Sequence, residues 1–304
     1  MSFIPGPLRL RRENQRFFIN TNEVRGAQSL QFSYAVPSVP LRHIGQTGVH
    51  HVVDGPYAGN VSLSSFIFTG DPIIKHTGDS PFNGYLYETK EGKSLDADSI
   101  DIAFTSGFLN SYSINCGIGQ IPRIDAEIGV VGNIGKLPSS EATSSLVSSD
   151  YSSIQSNENK DFDLKIADPR SLKISMNDFE SNRLNSFSIA MNIGRNPIYA
   201  LGEKTPIEVK RNFPIEVLCS FQIDLDAHNM GSKAGYEQKV LRDFPCSETA
   251  EDLTLTFYDH YTESEVVSYS FSDLLLVSQS HGANIDGNVV ATLGYRALIN
   301  KNKV

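Results

Sequence analysis

Residues 185–202 read NSFSIAMNIGRNPIYALG and residues 28–45 read QSLQFSYAVPSVPLRHIG; the two lie over each other without a gap, 157 positions apart. Ser29 falls on Ser186, Pro40 on Pro197 and Gly45 on Gly202. Leu30, Phe32, Tyr34 and Val36 fall on Phe187, Ile189, Met191 and Ile193, and Leu41 and Ile44 on Ile198 and Leu201. Apolar residues at every second position put one side of a strand on a core and the other in water. The Pro and Gly that follow mark a turn. At the same spacing Asn20 matches Asn177 and Glu23 matches Glu180. Our reading is two diverged copies of one β domain. The competing account is two unrelated amphipathic strands, each ending at a turn that favours Pro and Gly anyway.

The alternation recurs at Tyr112, Ile114, Cys116 and Ile118, in Leu253–Phe257, and in Val266–Phe271. It predicts an all-β protein of two similar antiparallel β-sandwich or barrel domains, with long loops and few short helices. One such helix is expected in GYEQKVL, 235–241. The stretch KLPSSEATSSLVSSDYSSIQSNENK, 136–160, is Ser-rich and without strong period, and reads as a linker or arm. The expected organisation is therefore a first domain over 1–135, the linker over 136–160 and a second domain over 161–304. Each half carries a long polar insertion, at about 70–100 and 226–252, and closes with a hairpin-like pair of strands. These pairs are FLNSYSINCGIGQI with RIDAEIGVV, and SDLLLVSQSHGANI with NVVATLGYRAL.

The composition is enough for real cores, at 39% hydrophobic residues. No apolar run approaches the roughly 18 residues that span a bilayer, and MSFIPGPLRLRRENQRFF lacks the features of a signal peptide. A protein made and folded in a cytoplasm, with no membrane partner, is expected. A net charge of −9 argues against avid phosphate binding. The cysteines Cys116, Cys219 and Cys246 show no paired spacing and are expected as buried thiols.

Signatures of chemistry are weak throughout. His50, His51, Asp54 and His76 lack ligand spacing, because adjacent strand residues point to opposite faces. The acidic run at Asp224 and Asp226 has Asn229 and Gly235 where a calcium loop needs Gly and Glu. GVVGNIG at 129–135 precedes the Ser-rich stretch and not a helix. No nucleophile elbow, phosphate loop or zinc-protease helix is written. The expectation is no enzyme, no catalytic residue, no cofactor and no metal. Lys204, Lys210 and Arg211 form a small basic cluster that suits a DNA contact or, in the preferred reading, a protein–protein salt bridge or a solvated loop.

The strand-and-turn run SFSIAMNIGRNPIYALGEKTPIEVKRNFPIEV resembles tail tube proteins of long-tailed bacteriophages, and SYSINCGIGQIPRIDAEIGVVGN is similar to another stretch of such proteins. Together these cover about a third of the chain. The resemblance implies small β domains joined edge to edge, six round a ring, the rings stacked into a tube through which DNA leaves the capsid. A duplicated chain would then give a pseudo-sixfold ring from three copies. The implied place is the virion tail, the subunit being made in the host cytoplasm. Its implied partners are further copies of itself and other tail proteins, with DNA passing unbound. On this reading Ser29, Gln31, Ser33, Ser186, Ser188, Ala190 and Asn192 are candidates to face the lumen. Pro40, Gly45, Pro197 and Gly202 mark the repeated turn. Two other readings stay open: a tail completion, baseplate or adaptor protein of the same fold, and a receptor- or carbohydrate-binding β-sandwich protein.

Overall fold

The computed structural model describes residues 15–41, 51–68, 70–88, 100–135, 167–176, 179–181, 184–225, 250–259, 264–282 and 289–300. Gly45, Asn177, Cys246, the 136–160 stretch and the expected helix at 235–241 lie outside the described residues. What is described is all-β, with one short 3-10 turn at Ile74–His76. The first half contributes β1 Gln15–Ile19, β2 Asn22–Glu23, β3 Ala27–Ala35, β4 Ser38–Leu41, β5 His51–Asp54, β6 Ala58–Phe66, β7 Phe82–Glu88, β8 Ile100–Gly117, β9 Arg123–Val130 and β10 Ile134–Gly135. The second contributes β11 Ala167–Met176, β12 Phe179–Ser181, β13 Leu184–Asn192, β14 Arg195–Ile198, β15 Glu208–Arg211, β16 Ile215–Leu225, β17 Glu251–Asp259, β18 Glu265–Gly282 and β19 Val289–Ile299.

The two halves carry the same seven antiparallel ladders. In the first, β1 pairs β2 and β7, β7 pairs β8, β8 pairs β9, β9 pairs β6, β6 pairs β3, and β4 pairs β5. In the second, β11, β12, β17, β18, β19, β16, β13, β14 and β15 repeat those pairings in the same order. Even the irregularities repeat. The β3/β6 register shifts between Ala27 and Ser29, and the β13/β16 register between Leu184 and Ser186. The β8/β9 register shifts between Leu109 and Ser111, and the β18/β19 register between Leu276 and Ser278.

A left-handed residue recurs as well. Ser106 has φ 53° and Asp273 φ 59°, each where its long strand leaves one neighbour and takes up the next. The Ser106 N–H donates to Asn83 Oδ1 at 3.2 Å, and the Asp273 N–H donates to Asp252 Oδ1 at 3.4 Å. A non-glycine residue in this region is uncommon and costs about 1–2 kcal/mol. Strand alternation requires no such feature, so its matched recurrence points to one backbone plan used twice.

Pro40 and Pro197 do not sit in turns. They lie inside β4 and β14, opposite Val52 and Val209 in two-stranded ribbons. Such a ribbon has only edge strands, where a missing N–H is tolerated. Each ribbon continues its main hairpin outward, as an arm beyond β3/β6 and β13/β16. Gly202, at φ 91°, does occupy a turn, at the tip of the second arm.

The halves do not stop at each other's border. β13 pairs β8 from Ser186↔Gly117 to Asn192↔Ser111, so β3, β6, β9, β8, β13, β16, β19 and β18 run edge to edge as one eight-strand surface. Its apolar side carries Val61, Leu63, Ile114, Ile128, Ile189, Cys219, Phe221 and Leu293, all buried in one continuous core. The outer strands supply Phe17 and Ile19 from β1 and Leu255 and Phe257 from β17. Phe187 meets Phe257 with ring centroids 5.7 Å apart, and Phe257 meets Tyr269 at 6.2 Å. A fully buried side chain of this size contributes about 1.5–3 kcal/mol.

Candidate assembly interface

The joint between the halves is the best-defined interaction surface in the molecule. Along the ladder, Phe187, Ile189 and Met191 of β13 stand opposite Cys116, Ile114 and Tyr112 of β8, all of them buried. Beyond it the β14/β15 arm is clamped onto the first half by two arginines. Arg195 Nε donates to the Leu109 carbonyl at 3.0 Å, and Arg195 Nη2 donates to the Gly78 carbonyl at 2.6 Å. The same guanidinium stacks 5.1 Å above the Phe108 ring. Arg211 Nη2 donates to Asp79 Oδ2 at 2.9 Å. Burial lowers the Arg195 pKa; Asp79 works against that and Arg211 with it. Since Asp79 is itself well exposed, most of this clamp's value lies in the carbonyl contacts and the stacking. An open cleft beneath the arm is lined by Phe108, Val131, Ile207 and Phe213.

A buried polar cluster ties the halves together inside the core. Asp71, 6% exposed, accepts hydrogen bonds from the Tyr112 hydroxyl on β8 and from the Tyr269 hydroxyl on β18, the latter at 3.0 Å. Its other oxygen accepts the Ile73 and Ile74 N–H groups, at 2.8 and 3.3 Å, at the start of the 3-10 turn. A buried carboxylate is tolerable only when its lone pairs are filled in this way. Burial pushes both tyrosine pKa values well above the ordinary range. The two hydroxyls therefore remain donors. The arrangement ties β8, β18 and the 3-10 turn together.

The side of the eight-strand surface away from the core is polar from β3 through β13, while Leu298 on β19 and Leu275 on β18 stand exposed farther along it. Ser29, Gln31 and Ser33 are exposed on β3; Ser186 and Ser188 are half-buried and Ala190 and Asn192 exposed on β13. Across the ladders they stand opposite Ser64, Ser62 and Asn60 on β6 and Ser113 and Asn115 on β8. Glu216, Ser220 and Gln222 of β16 extend the row, interrupted by the exposed Leu218 opposite Ala190. Charges on this side are largely matched, Arg123 with Asp125 at 3.0 Å and Arg296 with Glu216 at 3.9 Å. Glu127 accepts from Asn60 Nδ2 at 2.6 Å.

The remaining sequence candidates fall elsewhere. His51 and Asp54 are exposed on the first arm, whereas His76 packs on Phe82 at 4.5 Å, and burial, helped by Lys75, lowers its pKa. Among the described residues no group of His, Cys, Asp or Glu is placed to hold a metal ion. Cys116 and Cys219 are buried free thiols, their pKa pushed up to about 11 and about 12 by burial. Of the basic cluster, Arg211 belongs to the clamp, Lys210 pairs with Glu208 at 3.0 Å, and Lys204 lies 5.7 Å from the Tyr57 ring. No described helix is long and apolar enough to cross a membrane.

Sequence reading did not find Arg195, Asp79 or the Asp71–Tyr112–Tyr269 cluster. Asp79 stands 116 positions from Arg195, and nothing in a linear pattern announces such a pair. No protein-family model and no curated protein matches the sequence.

Proposed function

We propose that this protein is a self-assembling structural subunit of a phage-type tail tube, in which three chains close into a pseudo-sixfold ring and the rings stack into a conduit for DNA. The observation that carries this reading is the eight-strand surface, which joins both copies of the domain through a β8/β13 ladder and is polar on its open side from β3 through β13. At a strand spacing of ~4.8 Å and a tilt of ~40°, three such units close at roughly 48 Å between facing backbones. That leaves room for a nucleic-acid duplex. A wall of serine, asparagine and matched ion pairs gives sliding phosphates few fixed cations to hold them. The resemblance of the strand-and-turn runs to tail tube proteins supports the same reading.

Negative-stain microscopy and light scattering of the purified protein test it. Trimeric rings or stacked tubes are expected. A compact monomer that persists at high concentration would sink the proposal, and rings that never stack would place the protein at the end of a tail and not along it.

A further inference from the structure

The joint inside the chain has an equivalent that no described strand fills. β3 is the counterpart of β13, and the last third of β18 is the counterpart of the part of β8 that receives β13. Among the described residues, no strand pairs with the outer edge of β3, nor with the edge of β18 over 275–282 that β19 leaves open. We infer that β3 and the β4/β5 arm of one chain dock on β18 of a second copy, in the register that β13 and the β14/β15 arm adopt on β8. This rests on the self-assembly reading and names the surfaces that would meet.

Burial on the donor strand supports the pairing. Phe187, Ile189, Met191 and Ile193 are 3%, 0%, 7% and 0% exposed under the intrachain joint. Of their counterparts, Leu30 and Phe32 are only half-buried, and Tyr34 and Val36 are 50% and 39% exposed. The receiving side shows the matching defect. Phe108 is buried beneath Arg195, whereas its counterpart Leu275 is 37% exposed. Val131 lines the cleft under the second arm, and its counterpart Leu298 is 43% exposed. On the free arm Val52, counterpart of cleft-lining Val209, is exposed beside Pro40. Apolar surface thus lies open at both ends of the chain, at positions that the internal joint covers.

The internal register fixes the external one. Ser188↔Asn115, Ala190↔Ser113 and Asn192↔Ser111 translate into Gln31↔Gly282, Ser33↔Ser280 and Ala35↔Ser278 between chains. Each copy gives one edge and receives one, so the contact is heterologous, and a closed ring leaves no edge exposed. The two joints differ in chemistry. Where the internal one has Arg195 and Arg211, the free arm has Ser38 and Asp54. The joint between chains accordingly rests on the ladder and apolar contact and lacks the guanidinium clamp.

The test is a cysteine pair, Ser33→Cys with Ser280→Cys, in a Cys246→Ser background and under mild oxidation. Directly opposed residues on adjacent strands bring their Cβ atoms to about 4.5–5.5 Å, so intermolecular disulfides are expected. Ser33→Cys with Val277→Cys, on the same side of the strand but out of register, is expected to give none. Leu275→Asp, on an exposed side chain, is expected to weaken assembly at least tenfold, measured by light scattering, with the circular dichroism of the fold unchanged. If it misfolds, the cysteine pairs decide alone. Rings that form without the 33–280 cross-link overturn this joint and leave the self-assembly reading standing. A protein that stays monomeric and uncrosslinked overturns both.

Discussion

β3 and β13 are the same strand written twice, with the same bulge near the start, the same partner strand and the same arm beyond it. Yet among the described residues β13 lies between two neighbours while β3 has one. The apolar residues of β13 are sealed, and those of β3 are half open. The arms diverge in the same sense. The second is fastened by Arg195 and Arg211, and the first presents Val39, Leu41, Val52 and Val53 to solvent. Burial at these positions is therefore a property of the neighbour and not of the strand. The two strands thus share a pattern and differ in what covers it.

Substitutions at matched positions can break that comparison. Ile189→Ala, at a fully buried site, should destabilise the fold by about 2–5 kcal/mol. Phe32→Ala, its counterpart, should cost the isolated chain clearly less despite the larger side chain, because that ring is only half-buried. Urea unfolding of both variants below the assembly concentration reads the difference. Equal losses would mean that β3 is already covered within the chain.

The arms give the next largest contrast. Arg195→Ala removes donors to the Leu109 and Gly78 carbonyls and should cost about 1.5–3 kcal/mol. Ser38→Ala on the free arm should stay within about 0.5 kcal/mol. Limited proteolysis should find the second arm opened in the first variant and no change in the other.

The smallest effect sharpens the role of the core cluster. Tyr269→Phe takes one hydroxyl from Asp71 and should cost about 1–3 kcal/mol at neutral pH. The folded-state pKa values of Cys116, Cys219, Tyr112 and Tyr269 are all raised. Stability from these groups is complete below their unfolded values, which are 9.0 for the thiols and 10.0 for the phenols, and is lost as pH climbs above them. Urea midpoints should accordingly hold to about pH 9 and then fall, less steeply in Tyr269→Phe. A flat profile to pH 11 would show that the cluster ionises no differently in the unfolded chain.

Much of the fold was legible because strand alternation is a local code. Phe187, Ile189 and Met191 point to one side whatever their neighbours are, and so do Leu30, Phe32 and Tyr34. The Pro-to-Gly spacing revealed the repeat but misplaced the prolines, since a ribbon edge and a turn accept proline for the same reason, the missing N–H. The equivalence of Ser106 and Asp273 was invisible, because neither residue type announces a left-handed backbone. The polar side of β3 and β13 could be named from parity, yet Ser186 and Ser188 are half-buried and Ser29 and Ser33 exposed, which parity cannot say.

The sequence by itself determined that this protein is built of amphipathic strands and that one strand pattern followed by Pro and Gly is written twice, because period-two patterning and ungapped self-similarity are carried by the chain alone. Only the tertiary structure decided that β13 closes on β8, that Asp71 collects a tyrosine from each half, and that the edges of β3 and of β18 over 275–282 have no partner strand among the described residues. Those facts depend on hydrogen bonds and contacts between residues far apart in the chain, and an edge is free or occupied only once every other strand has found its place.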